Sequence, residues 1–406
     1  MATVRAFVAL RPPRELVDAV ASPPYDVVDT REAAALAEGN PDSFLRVSRP
    51  EIALPSGATA EEVHRLGRQV LEELERRGAL VRDRARQLLV YRQEMGSASQ
   101  TGVVAAVTAA DYRSGVIAVH EHTRPDKEDD RTRHIEVLEA HDEPVFLMYR
   151  PAAPGASRVA EVLAGVTAAE PEYRLERDGV RHTMWAVAAA ADIEALEAAF
   201  SEVPVLYVAD GHHRSAAAAR VAATDPRPGA GEFPAVVFPS DELTVMAYHR
   251  VVRDLHGHTP AAFLTALGAD FVLTRAAAAP TLERHQVGVL VDGAWWIATA
   301  RPDVVDEADP IARLDVSVLQ DRVLAPVLGI TDPRTDARIS FVGGIRGTAE
   351  LERLVGSGEF AVAFALHPTS TDEVMDVADG GQVMPPKSTW FEPKLLSGLF
   401  VHPIEA

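Results

Sequence analysis

Two hydrophobic periods interleave along this chain, one of three to four residues and one of two, with short unbroken apolar runs among them. Val63, Leu66, Val70 and Leu74 fall on one face of a helix expected over 61–77, which Gly78 ends. Further helices are expected over 135–140, 192–200, 260–267, 314–328 and 348–355, and one directly after residue 211. Short apolar runs predict strands over 4–10, 87–93, 103–108, 145–149, 205–209, 235–238, 243–249, 338–342 and 360–366. Residues 287–297 read as a hairpin with Asp292-Gly293 as the two-residue turn. The proline- and glycine-rich 224–231 stretch reads as a loop. Residues 120–134 hold twelve charged or histidine side chains in fifteen, so they are expected as a strand end or loop rather than a buried element. Strands alternating with helices, with hairpins between, predict an α/β or mixed α+β fold built on a mixed sheet. The texture changes near residue 256, so the expected division is an N-terminal domain over 1–255 and a second C-terminal α/β subdomain over 256–406.

Composition narrows the function classes. With 40 Lys and Arg against 60 Asp and Glu, the formal charge of −20 makes the chain a poor binder of nucleic acid or anionic membrane. There is no cysteine, which removes disulfides, thiolate metal sites and cysteine nucleophiles and fits a reducing, cytoplasmic setting. No apolar run reaches the ~20 residues of a membrane span, and the first residues lack the apolar core of a signal peptide.

The chemistry concentrates in a few short blocks. Leu206 to Ala209 is an apolar run that ends in Asp210-Gly211-His212-His213-Arg214, ahead of an alanine-rich helix. Gly211 suits a left-handed turn. A helix opening after it aims free N–H groups and a positive dipole end at an anion, most often a phosphate. Arg214 adds a charged fork for the same guest, and Asp210 stands ready to hold a metal ion or orient a neighbour. His120-Glu121-His122-Thr123 offers Glu121 as a general base and His122 as a phosphate or metal contact. Lys387-Ser388-Thr389 looks like the end of a P-loop, but no GxxxxG precedes it, which rejects a Walker cradle. What remains there is a proline-stiffened segment with two lysines and two hydroxyls. Tyr25 and Asp26 after a double proline, and His249-Arg250 at a strand end, complete the candidates. His120, His122, His212, His213 and Asp210 together hold enough donors for a metal-dependent hydrolase, although no tight ligand spacing such as HExxH supports one.

Five blocks occur in order: Ser22-Pro23-Pro24-Tyr25-Asp26-Val27, His120 to Thr123, Tyr207 to Arg214, Arg338-Ile339-Ser340-Phe341-Val342-Gly343 and Met384 to Thr389. Together they resemble the bacterial and archaeal family catalogued as domain of unknown function one-thousand-fifteen, over nearly the whole chain. The strand–DGHHR–helix unit is also similar to the phosphate-binding box of the ParB and sulfiredoxin superfamily, which includes free-serine kinases. The sulfiredoxin cysteine is missing, so that chemistry is excluded.

The resemblance implies a ParB/sulfiredoxin-like phosphate-binding turn and a phosphotransferase that uses ATP or ADP with Mg²⁺, free L-serine being the best acceptor. Gly211, His212, His213, Arg214, His122, Thr123, Ser388 and Thr389 would hold the nucleotide. Tyr25, Asp26, His249 and Arg250 would hold the substrate. Glu121 would match the kinases' glutamate base, with Asp26 as its alternative. Asp210 would hold Mg²⁺, and Lys387 would neutralise developing charge. The expected partners are a nucleotide and a small metabolite, without nucleic acid or membrane, and with homo-oligomerisation left open. Two alternatives stay open: a nucleotide-binding or hydrolysing switch of ParB type, and the metal-dependent hydrolase.

Overall fold

The computed structural model describes residues 1–405. The chain divides into two compact units, Met1–Leu243 joined by the chain from Pro393 onward, and Thr244–Glu392. The mixed α+β class expected from the alternating periods is the one that forms.

The first unit is built on a nine-stranded mixed sheet. Its order runs Ile117–Ala118, Leu206–Asp210, Val145–Tyr149, Glu232–Pro239, Ala98–Thr108, Leu89–Met95, Val180–Ala186 and Tyr173–Arg177, and Val4–Arg5 also pairs with Ala98–Thr108. The central strands carry unbroken apolar runs because both faces are covered. Val103, Ala105, Leu147, Val208 and Val237 form one core with Val159, Leu196 and Phe200 from two helices. Each large aliphatic side chain buried this way contributes about 1.5–3 kcal/mol. Gly102 leaves room for a ring, since a Cβ there would stand 2.7 Å from Phe238. The Ala60–Arg76 helix starts at a reciprocal Thr59–Glu62 capping box and buries His64, Gly67, Leu71 and Leu74.

Several elements differ from the sequence expectation. The 4–10 strand divides into Val4–Arg5 and Leu10–Arg11, which pair with different partners, Ala98–Thr108 and Val81–Arg82. The 120–134 stretch is not all loop. A helix runs over Pro125–Leu138, with Pro125 in its first turn. Proline is a helix starter there, because the N–H it lacks has no intrahelical partner anyway. Asp126 and Glu128 favour the positive end of that helix, while Thr132, His134, Ile135 and Leu138 are buried. The charges thus occupy a solvated face of an amphipathic element. A helix over Ala156–Thr167 and a Tyr173–Arg177/Val180–Ala186 hairpin also form.

The second unit holds a six-stranded antiparallel sheet in the order Phe271–Ala276, Ala294–Ala300, Gln286–Val291, Val362–Leu366, Tyr248–Val252, Ile339–Gly343. The expected 287–297 hairpin is present, with Asp292 and Gly293 both at positive φ. The 243–249 run divides into Thr244–Met246, paired with Trp390–Glu392, and Tyr248–Val252 in the main sheet. The 314–328 helix begins as Asp315–Leu319 and widens into a π-turn over Gln320–Leu324. No helix among the described residues is long and apolar enough to cross a membrane.

Candidate functional site

The Leu206–Asp210 strand is apolar and buried until Asp210. It pairs in parallel with Ile117–Ala118 and antiparallel with Val145–Tyr149, with a register shift between Val208 and Asp210. Gly211 follows at φ 94°, ψ 30°, the left-handed conformation that favours glycine. Its N–H donates to Asp210 Oδ1 at 2.8 Å. The His212–Thr224 helix opens there with no side chain capping it, which leaves its first-turn N–H groups open to an anion.

Arg214 folds back over this turn. A Cβ at Gly211 would stand 3.1 Å from Arg214 Nε and 3.2 Å from Cζ, so any other residue would press on the guanidinium. Arg214 is 9% exposed. Its Nη1 donates to the Pro144 carbonyl. Its Nε has no hydrogen-bond partner among the described residues. Three carboxyl groups stand around it: Asp26 at 3.8 Å, Glu143 at 3.9 Å and Asp210 at 4.0 Å. Burial opposes the Arg214 charge, but these acids outweigh it and hold its proton above the ordinary arginine affinity.

Other sequence blocks converge on the turn. The Tyr25 N–H donates to Glu143 Oε1 at 3.1 Å, and the Arg131 guanidinium lies 4.3 Å over the Tyr25 ring. These contacts place the following Asp26 beside Arg214. The Arg124 N–H donates to His213 Nε2 at 3.1 Å, which ties the His120–Thr123 segment to the helix start. The His120 ring meets His212 edge-on at 4.5 Å. Both rings are buried, and burial pushes His120 down to about 4 and His212 well below its ordinary value. Glu121 is half-buried between these anchors, His122 is exposed, and Thr123 donates to Glu128 at 2.7 Å.

Lys394 closes the other side, donating from Nζ to Asp210 Oδ2 at 2.8 Å. Burial would raise the Asp210 carboxyl, but Lys394 and Arg214 prevail and hold it well below the carboxylate range. Both Asp210 oxygens are therefore engaged, one by the Gly211 N–H and one by Lys394. As it stands Asp210 is not an open ligand for Mg²⁺. No group of three or more His, Asp or Glu side chains among the described residues is placed to hold a metal ion, so the donor set of the hydrolase alternative does not assemble.

Lys387, Ser388, Thr389, His249 and Arg250 belong to the second unit. Arg250 is buried and donates to the Tyr248, Pro386 and Lys387 carbonyls. Ser388 donates to the Pro385 carbonyl at 2.6 Å, and half-buried Thr389 follows it. His249 Nδ1 accepts the Leu366 N–H at 3.2 Å. Lys387 is exposed at φ 56°, with its Nζ 5.5 Å over the Tyr248 ring.

Sequence reasoning misses Glu143 and assigns no role to Lys394. Glu143 belongs to an Asp142-Glu143-Pro144 turn, and two adjacent acids directly before a buried strand are the available signal. It also misses the buried pair His134 with Asp142 at 3.0 Å and the part-buried pair His64 with Asp130 at 3.2 Å.

Among curated proteins no match is found. Among solved structures, the chain is similar to a free serine kinase variant in complex with AMP, at 12% identity and a TM-score of 0.37, covering 71% of this chain and 87% of that one. It is also similar to SbnI with a C-terminal truncation from Staphylococcus aureus, at 13% identity and a TM-score of 0.38, covering 72% and 85%. A conserved hypothetical protein from Pyrococcus furiosus is similar at 12% identity and a TM-score of 0.34, covering 71% and 90%. The family model described as protein of unknown function (DUF1015) matches residues 4–317, and the chain belongs to that family.

Proposed function

We propose that this protein is a nucleotide-dependent phosphotransferase acting on the hydroxyl of a small metabolite, with ATP or ADP as donor and free L-serine as acceptor. The observation that carries the reading is Arg214, a buried guanidinium whose Nε has no partner among the described residues, set beside an uncapped helix start. A buried donor left unpaired costs about 1–3 kcal/mol, which a bound phosphate oxygen would recover. The choice of L-serine rests on the likeness of the DGHHR turn to that of the free-serine kinases.

In this reading the N–H groups of His212, His213 and Arg214, with the Arg214 fork, hold the donor's phosphates. Asp26 or Glu121 takes the proton of the acceptor hydroxyl. The hydroxyl oxygen bonds to the terminal phosphorus as the bond from that phosphorus to the nucleotide oxygen breaks, and the shortened nucleotide leaves. Such a transfer asks for placement and charge stabilisation more than covalent help. Lys394 keeps Asp210 ionised and in place.

The test is to incubate the protein with ATP or ADP, Mg²⁺ and each of a panel of amino acids. The expected result is O-phosphoserine that forms only with serine and nucleotide together. Glu121→Gln and Asp26→Asn assign the base, because the one that matters loses transfer while keeping nucleotide affinity. Nucleotide binding without any acceptor-dependent product would overturn the kinase reading in favour of a switch.

A further inference from the structure

Glu143 is an acid that the phosphate grip does not itself use. Its side chain is 2% exposed. Oε1 accepts both the Tyr25 N–H at 3.1 Å and the Ser397 hydroxyl at 2.9 Å, joining the proline turn to the C-terminal segment. Oε2 has no hydrogen-bond partner among the described residues. Arg214 Nη1 stands 3.9 Å from it, too far for a hydrogen bond, and donates to the Pro144 carbonyl. An ionised carboxylate buried without a partner for one oxygen costs far more than a neutral acid in the same place.

We propose that Glu143 is a positioning residue of the anion site: as a neutral acid it fixes the Tyr25–Asp26 turn and leaves the Arg214 charge to an incoming phosphate. The proposal rests on the phosphate reading of the Arg214 turn. Burial pushes the Glu143 carboxyl up to about 8, with Asp142 and Asp26 adding to the rise and Arg214 and Ser397 opposing it. Its surroundings come from every packed element. His141 and Asp142 precede it in sequence, and with it Tyr25, Arg131, His134 and Arg214 line one cavity of about 20 Å³, the size of a single water. With Glu143 neutral, Arg214 and Lys394 balance Asp26 and Asp210. Ionising Glu143 adds a negative charge beside Arg214 that competes with the phosphate.

The experiment is ADP binding by the full chain between pH 7 and 9, for wild type, Glu143→Gln and Ser397→Ala. Wild-type Kd should rise about tenfold or more across that range, the scale of one added charge at this distance in partly buried surroundings. Glu143→Gln should stay flat within about twofold. Ser397→Ala, which removes a donor to the ionised form, should move the midpoint to higher pH. A wild-type rise that persists in Glu143→Gln overturns the proposal.

Urea unfolding at pH 5.5 and 8.5 separates this proposal from the phosphate reading. A carboxyl raised from 4.5 to about 8 binds more protons folded than unfolded, so its contribution is complete below 4.5 and is lost as pH rises through 8. Wild type should therefore lose midpoint relative to Glu143→Gln at pH 8.5. An unchanged difference overturns the proposal, even in a protein that binds no ADP. If Glu143→Gln does not fold, wild type carrying ¹³C-labelled glutamate decides by infrared titration. A protonated-acid band present at pH 7 and gone at pH 9.5 supports the proposal, and no such band at pH 7 overturns it.

Discussion

Arg214 meets two demands with one planar group. It satisfies the Pro144 carbonyl and keeps Nε free beside the helix start. Lysine keeps the charge but gathers its three donors at one point, without the planar fork that reaches the Pro144 carbonyl and the helix start together. Arg214→Lys should leave the protein folded and weaken ADP binding by tenfold or more, about the 1.5–3 kcal/mol of a hydrogen bond to a charged group, as calorimetry would show. Wild-type affinity in that variant would remove Arg214 from the grip. Arg214→Ala is a poorer test, because stripping the buried cation from Asp26 and Asp210 destabilises the fold as well as the grip. The buried histidines set the acid limit. Burial holds His120 and His141 near 4 and His402 near 3. The unfolded chain binds protons at these positions first, so their contribution is complete above about 6.5 and is lost as pH falls towards 4. Urea midpoints should drop steeply between pH 6 and 4, and His141→Gln should soften that drop. An unaltered drop would mean His141 is not among the groups responsible.

The turn between the Leu206–Asp210 strand and the His212–Thr224 helix is the element on which the site depends. Gly211→Ala places a methyl group in a left-handed residue, costing roughly 1–2 kcal/mol, and presses it to 3.1 Å from Arg214 Nε. The expected outcome is a modest loss of urea midpoint with a much larger loss of nucleotide affinity. Equal small losses in both would show that the guanidinium does not need the open space. This element was legible in sequence because its apolar run, glycine and cations are contiguous. Glu143 was not legible, because its role comes from partners 118 and 254 residues away in sequence. Lys394 was obscured by Lys387, which is seven residues earlier and sits in the more suggestive Lys-Ser-Thr triplet. The Pro125–Leu138 helix was hidden by its charge run, since nine polar residues precede its first large apolar side chain at Ile135. The Asp178-Gly179 turn was present as a hairpin signal, with both residues at positive φ. Its first strand, Tyr173–Arg177, alternates apolar and charged residues because one face is exposed, and its second carries Arg181, His182 and Thr183 among its apolar residues, which diluted the apolar run.

At the scale of the whole molecule, the first unit is closed by a segment that the chain reaches only after building the second. Beyond Pro393 the chain exchanges backbone hydrogen bonds between Ser22 and Ser397 and between Leu10 and Val401. His402–Pro403 pairs with Ala140–His141, and Lys394 and Ser397 bond Asp210 and Glu143. Leu396, Leu399, Phe400, Val401 and Ile404 are all buried. At about 1.5–3 kcal/mol for each large apolar side chain, their loss matches the whole ~5–15 kcal/mol that keeps a domain folded. A chain ending at Glu392 should therefore fail to fold its first unit, although it keeps the DGHHR, HEHT and PPYD blocks intact. Circular dichroism and urea titration of that truncation test the point, and a wild-type midpoint would refute it. A site-specific protease cut before Pro393 in the folded protein gives the complementary reading. The short C-terminal piece should co-elute with the body in buffer and separate in urea. Its release in buffer alone would show that these contacts do not hold the unit closed.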